Sequence, residues 1–211
     1  MNDSENQNEA RETGQGATQE PVANAGGLSG RRRAARSLSL AALFAALVAA
    51  GTFISIPLPF TPVPVVLQNL FSLLAGLILG PVLGGAAVGL YLLAGIIGAP
   101  VFAGASGGIA RFLGPTGGFL IGYLLSALVA GLICGRPRRG TPLWRVILAV
   151  LAGLLVIYVP GLIRLRFAVD TWGAALTGGF IPFIPGDLLK GILAVLIAPR
   201  LRGLVADRLD R

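Results

Sequence analysis

The chain has 211 residues, of which 55% are hydrophobic and 12% are charged, and its mean hydropathy is +0.81. Soluble domains carry about 25% charged residues, so this composition excludes an ordinary soluble domain and indicates an integral membrane protein. The net charge is +8, but the basic residues flank apolar segments instead of lining a polar face, which favours membrane orientation and argues against nucleic-acid binding.

The first 30 residues are polar and rich in Gly, Asn, Gln and Glu, and we expect them to form a disordered cytoplasmic tail. Six apolar segments follow within residues 31–211. A spanning helix needs roughly 20 apolar residues, so these segments predict an all-α bundle of six transmembrane helices in the lipid bilayer. The predicted spans are residues 38–56, 64–79, 82–97, 115–133, 143–163 and 182–198, with a tight break at Gly80-Pro81 between the second and the third.

The distribution of Lys and Arg predicts the orientation. With the N-terminus inside, twelve arginines flank the spans on the cytoplasmic side and three lie outside, namely Arg111, Arg164 and Arg166. This bias places both termini in the cytoplasm of a multi-pass protein, which we expect in the plasma membrane of a prokaryote. The outer segments 57–63, 98–113 and 164–181 each carry Gly, Pro or polar groups beside the apolar spans. Irregular backbone at membrane depth must be buried or line a cavity, so we expect an outward-facing cavity there.

The sequence offers little for catalysis. It has no histidine and one cysteine, Cys134, which removes the commonest general base and any cysteine-based metal site. No GxxxxGK[ST] pattern occurs, so the chain has no nucleotide-hydrolysing loop of its own. We therefore expect no enzymatic activity, no metal and no cofactor.

Asp187 and Lys190 lie within the last apolar segment, just after Pro185 and Gly186. Their spacing of three residues puts both side chains on one helix face. Ionisable residues inside a membrane are costly and are commonly functional. Two interpretations stay open: an ion pair that lets the helix insert, or a polar anchor for a ligand.

Further polar and aromatic candidates lie in the second and third spans. Gln68 and Asn69 interrupt the second span, where an amide can serve either interhelical packing or ligand contact. Tyr91 lies in the third span, and Arg111 precedes a glycine-rich segment. Near the predicted boundaries, Trp144, Tyr158 and Trp172 are typical of membrane-interface anchors.

The first span carries alanines four residues apart, at positions 41, 45 and 49 and at positions 42 and 46. Small residues at this spacing allow another helix to approach closely. The stripe is expected either to pack inside the bundle or to dock a partner subunit.

Several segments, in this order along the chain, resemble the BioY family, the biotin-specific substrate-binding (S) components of energy-coupling factor transporters. The resemblance covers roughly residues 38–201. The matching segments are PVPVVLQ (62–68), AGLILG (75–80), YLLAG (91–95), PVFAG (100–104), GPTGGFL (114–120) and PFIPGDLLK (182–190).

This resemblance implies a six-helix protein that captures biotin from outside and works with a transmembrane coupling subunit and two cassette ATPases. It implies that Asp187 and Lys190 line the biotin pocket. It also implies that first-helix alanines dock the coupling subunit, and the matching positions are Ala41, Ala42, Ala45 and Ala46.

The chemistry of biotin suits the candidate residues. Asp187, Gln68 or Asn69 can bond the ureido group, Lys190 or Arg111 can pair with the tail carboxylate, and Tyr91 and Phe102 can pack on the rings. The candidate substrate-binding set is Asp187, Lys190, Gln68, Asn69, Tyr91, Phe102, Gly104 and Arg111. The sequence leaves the orientation of biotin open.

Two other functional classes are weighed against this one. A stand-alone carrier or channel for another small solute or vitamin would transport without ATPase partners. A membrane-embedded enzyme would need a nucleophile–base pair or a metal cluster, and the sequence presents neither.

Overall fold

The computed structural model describes the backbone of residues 22–210. Helix α1 spans Val22–Ala50. Residues 22–30 belong to this helix, and the rest of the tail predicted over residues 1–30, residues 1–21, lies outside the described residues. Once a helix is nucleated, each added residue gains a hydrogen bond at little cost, so the apolar helix extends backwards through the arginine-rich segment.

The described residues are mostly helical, as predicted. After α1 the helices are α2 (Gln68–Ile96), α3 (Ile109–Phe112), α4 (Gly117–Cys134), α5 (Leu143–Val169), α6 (Trp172–Gly179), a 3-10 turn (Ile181–Phe183) and α7 (Ile184–Asp210). A short antiparallel pair, β1 (Ser55–Ile56) with β2 (Val65–Val66), departs from the all-α prediction.

Helix α2 folds back on itself at Gly80, whose φ of 82° is a left-handed value that glycine adopts without a Cβ clash. The side-chain amide of Gln68 lies 2.8 Å from the hydroxyl of Tyr91. In a straight helix these two residues would be about 35 Å apart. The halves 68–79 and 81–96 are therefore antiparallel, and Gly80-Pro81 makes the tight break that the sequence predicted.

Helix α4 packs closely on both α2 and α5. A Cβ at Gly76 would lie 2.1 Å from the carbonyl oxygen of Ala127, and a Cβ at Gly122 would lie 2.6 Å from that of Ile157. Glycine at these crossings lets the helix backbones touch, as in other membrane bundles. Helices α2, α4 and α5 therefore form the core, and α7 packs onto it.

Four helical stretches of the described residues are long and apolar enough to cross a membrane: Gln68–Ile96, Gly117–Cys134, Leu143–Val169 and Trp172–Leu209. A shorter apolar helix covers Ala34–Ala50. The first of these stretches is the α2 hairpin, so a criterion based on helix length counts two of the predicted spans, 64–79 and 82–97, as one.

Three helices end at residues other than the predicted span ends. The first helix stops at Ala50 and not at residue 56, because Ser55 and Ile56 pair with β2. The fifth continues to Val169 and not to residue 163. The last passes Pro199 and reaches Asp210, since neighbouring groups in a bundle can satisfy the carbonyl that a proline frees.

One arginine near the end of α7 is completely buried. The Arg202 guanidinium donates to the carbonyl oxygens of Cys134 at 2.9 Å and Arg136 at 2.9 Å, and also to Leu77. Its Nε donates to the Thr141 hydroxyl at 3.0 Å. These partners lie at or near the ends of α4 and of the first half of α2, where helix carbonyls carry partial negative charge. Arg202 thus ties three helices together.

Candidate functional site

A buried polar cluster surrounds the first turn of α7. Lys190 Nζ lies 3.1 Å from Asp187 Oδ1, and both residues are nearly inaccessible to solvent. Asn69, at the start of α2, donates from Nδ2 to the same carboxylate oxygen at 2.9 Å. Asp187, Lys190 and Asn69 therefore form one cluster, which brings together residues 118 positions apart in sequence.

The fourth member of this cluster is Tyr158 of α5, whose hydroxyl donates to Asp187 Oδ2. Tyr158 was predicted to be a membrane-interface anchor, whereas its half-buried side chain points into the bundle. Its ring packs edge-to-face on Phe119 and Phe180, with centroids 6.3 and 4.7 Å away. No local motif marks it, although an inward tyrosine is expected to find a hydrogen-bond partner.

Gln68 and Tyr91 belong to a neighbouring cluster. The Gln68 amide nitrogen lies 2.8 Å from the Tyr91 hydroxyl and 2.9 Å from the carbonyl oxygen of Val101, and it also donates to Thr52. Phe102 packs edge-to-face on Tyr91, with a centroid distance of 5.7 Å. Since an amide nitrogen has two hydrogens to donate, the Gln68 nitrogen is already fully engaged in holding the loop after α2 against the start of that helix.

Arg111 of α3 and Gly104 lie beside this loop. The Arg111 guanidinium reaches the carbonyl oxygen of Ala103 at 3.3 Å through Nη2. Its Nε is buried and has no hydrogen-bond partner among the described residues. A buried charged donor without a partner is costly, so this nitrogen is suited to an anionic ligand. Gly104 is exposed, with a left-handed φ of 75°.

Two small voids connect these groups. One, of about 30 Å³, is lined by the four residues of the Asp187 cluster. The other, of about 20 Å³, is lined by Gln68, Phe102, Arg111 and Thr116. Both voids share a set of mainly apolar walls: Val63, Pro64, Val66, Phe119 and Tyr123. The site therefore has a carboxylate–amide end, an apolar and aromatic middle, and a guanidinium end.

Both voids offer little more room than one water molecule needs, so a vitamin-sized ligand requires the walls to move. Val63 and Pro64, which line both voids, belong to the proline-rich connection between β1 and β2. This connection lies between two short strands and is not helical, so its backbone is not held by helical hydrogen bonds as the other walls on α2, α4 and α5 are.

The alanine stripe of α1 divides between two faces. Ala41 is buried at 2% exposure, and Ala45 is half-buried. Ala42 and Ala46 are exposed, one helical turn apart. Only the second pair is available to a partner helix, a distinction that the spacing by itself does not make.

Comparisons with known proteins agree with this architecture. The model of the BioY family matches residues 20–207. The chain is 45% identical to the probable biotin transporter BioY of Pyrococcus horikoshii over 80% of this chain and 98% of that protein. It is 42% identical to the biotin transporter BioY of Thermotoga maritima over 82% of this chain and 99% of that protein.

The fold also matches a crystal structure of the S-component for biotin from an ECF-type ABC transporter. The TM-score is 0.71 at 33% identity, covering 80% of this chain and 91% of that one. The family is one of transporter components and not of enzymes, as the sequence predicted. On sequence, length and fold together, this chain belongs to the BioY family.

Proposed function

We propose that this protein captures biotin and serves as the substrate-binding subunit of an ATP-driven energy-coupling factor transporter. The observation that carries the proposal is the pair of polar ends separated by an apolar middle, Asp187 with Asn69 at one end and Arg111 at the other. Biotin has the same order of groups: a ureido ring, an apolar thioether and chain, and a carboxylate. The names of the relatives support the same ligand.

The ureido group is proposed to bind at the Asp187 end. Asp187 accepts three hydrogen bonds from side chains, and its carboxylate can accept the ureido N–H donors when these side chains shift. Asn69 and Lys190 can donate to the ureido oxygen. The aromatic walls Phe119 and Tyr123 then cover the thioether ring.

The tail carboxylate is proposed to pair with Arg111. Its unpartnered buried Nε supports this assignment, and an arginine–carboxylate contact is a strong, charge-assisted hydrogen bond. Gln68, Tyr91 and Phe102 then act mainly by holding the wall between the two ends, through the contacts described above. Gly104 borders the Arg111 end from outside.

We further propose six membrane crossings with both termini in the cytoplasm of a prokaryotic cell. The two halves of α2 would each cross, and the Asp187 end of α7 would face outward. Cysteines engineered at Ser106 and Arg138 test this topology in a variant whose Cys134 is replaced. An impermeant reagent should label the first in intact cells and the second only after permeabilisation, and equal labelling of both would contradict six crossings.

The proposed partners are a transmembrane coupling subunit and two cassette ATPases. The exposed alanines Ala42 and Ala46 of α1 support a close helix–helix contact with the coupling subunit. Without an ATPase motif of its own, the chain would depend on these partners for active uptake. Accumulation of biotin by proteoliposomes holding this chain alone would instead favour a stand-alone carrier.

Calorimetry of the purified protein tests the ligand. Biotin should bind with measurable heat, and thiamine and riboflavin, which lack the ureido ring and the carboxylate tail, should not. A response to either control without a response to biotin would overturn the proposed function.

A further inference from the structure

A larger cavity adjoins the Arg111 end of the site. Its volume is about 320 Å³, which lies within the range of small-molecule sites, about 300–1,000 Å³. It is lined by Ser55, Pro57, Leu58, Thr61, Pro62, Pro64, Ala103, Gly104 and Arg111. None of these residues belongs to a spanning helix, so the cavity lies among the irregular segments that cover one end of the bundle.

The outer cavity and the inner site share three residues, Pro64, Ala103 and Arg111. The Arg111 side chain, held at 3.3 Å on the Ala103 carbonyl oxygen, therefore forms part of the wall between them. A ligand carboxylate that meets Arg111 from the inside lies next to the outer cavity. The tail end of the ligand is thus the end with free space beyond it.

Inside the bundle, the opposite end of the site has no such space. A groove of about 310 Å³ does border Asp187, but it lies between α5 and α7 and its other lining residues are all apolar, so it offers no polar partner to a charged extension. Asp187 and Lys190 are buried, and Asp187 is enclosed by Asn69 and Tyr158 as well. The void at this end is about 30 Å³, so a substituent on a ureido nitrogen would meet side chains from α2, α5 and α7 at once. The two ends of the site therefore differ in what they can tolerate.

We propose that this protein also accepts biotin whose carboxylate is joined to an amine through an amide bond, with biotinyl-lysine as the simplest case. This rests on the proposed function, since it requires biotin to lie with its tail at Arg111. The amide carbonyl keeps an acceptor for the guanidinium, and the lysine part occupies the outer cavity. Ser55 and Thr61 supply hydroxyl groups there, and the charged amino-acid group stays near solvent.

A competition experiment on the full chain tests the proposal. Labelled biotin is bound to the purified protein and displaced with biotinyl-lysine or with a biotin alkylated on a ureido nitrogen. Loss of the charge-assisted contact predicts that biotinyl-lysine binds about 10- to 100-fold more weakly than biotin, whereas the alkylated compound fails to compete. Intact binding of biotin with no competition by biotinyl-lysine at about 1,000-fold excess overturns this inference and leaves the proposed function standing. Failure to bind biotin overturns both.

A matched pair of variants tests whether the lysine part of biotinyl-lysine occupies the outer cavity. Ser55 lines the outer cavity, and its neighbour Ile56 points to the other side of β1, where it is exposed. Ser55→Trp should fill the outer cavity and weaken the binding of biotinyl-lysine about tenfold or more, while the affinity for biotin changes less than about threefold. Ile56→Trp should change neither ligand. Equal weakening of both ligands by Ser55→Trp would show that the lysine part does not use this cavity.

Discussion

Helix α7 buries charged side chains at two places that are satisfied in different ways. Near its start, Asp187 and Lys190 are held by side chains, Asn69 and Tyr158 among them. Fifteen residues later, about 22 Å along the helix, Arg202 is held by main-chain carbonyl oxygens and one threonine hydroxyl. All partners of Arg202 among the described residues are uncharged oxygens.

The difference indicates which cluster can work as a binding site. Side-chain partners can rotate toward a ligand without disturbing the helices that carry them. Carbonyl partners at helix ends cannot, because they move only with the backbone. We infer that the Asp187 cluster is a binding site held closed by its own ion pair, whereas Arg202 is structural, and variants at both places test this contrast.

Arg202→Met is expected to have the largest effect on stability. It leaves buried carbonyl oxygens of α2 and α4 without their donor, which costs on the order of 3 kcal/mol or more. Thermal unfolding in detergent should show a clear fall in Tm, and the protein that remains folded should still bind biotin. Arg139→Met is the control, because Arg139 is exposed and its ion pair within the described part of the chain is with Asp207 at the surface. A Tm for Arg202→Met equal to that of the control would show that Arg202 does not stabilise the contact between α2, α4 and α7.

The double variant Asp187→Asn with Lys190→Met should stay folded and lose biotin binding. Removing both charges leaves no unpaired ion, so the cost in stability is small. The single variant Lys190→Met should be less stable than the double variant, because it leaves the Asp187 carboxylate buried without its ion-pair partner, at a cost of about 3–5 kcal/mol. Unfolding and biotin titration must be measured on the same samples. A stable double variant with undiminished biotin affinity would show that the pair is only structural.

Arg111→Gln should weaken biotin binding about 10- to 100-fold, because it removes a charged hydrogen bond to the tail carboxylate. Stability should change little, since among the described residues the Arg111 side chain makes one long hydrogen bond, to the Ala103 carbonyl oxygen at 3.3 Å. The same variant should affect biotinyl-lysine less, as its tail is neutral. If both ligands are weakened equally, Arg111 acts on the shape of the site and not on the carboxylate.

Ala42→Trp and Ala41→Trp separate the two faces of α1. The exposed Ala42 should tolerate the bulky side chain without loss of biotin binding but with weaker co-purification of the coupling subunit. The buried Ala41 should instead lose about 1–3 kcal/mol of stability through overpacking. Co-purification and Tm measured on both variants check this, and unchanged assembly for Ala42→Trp would remove this face as a docking surface.

The order of segments and motifs in the sequence was enough to predict the family, the mostly helical membrane fold and the turn at Gly80. It also predicted that Asp187 and Lys190 share a helix face, because a spacing of three residues acts locally. Residues 57–63, 98–113 and 164–181 were predicted to border a cavity. Residues from the first two segments line the outer cavity beside Arg111, whereas the third is mostly helical and lines neither this cavity nor the two inner voids.

Only the tertiary structure decided which helices meet and through which faces. Asn69 and Tyr158 reach Asp187 across 118 and 29 positions of sequence, Gln68 is engaged by its own neighbours, and Ala42 is exposed where Ala41 is buried. In a soluble helix the polar face reveals its rotation. Here the helices are apolar on nearly every side, so their periodicity does not say which face turns inward, and the rotation is set by the glycine contacts and buried hydrogen bonds between them.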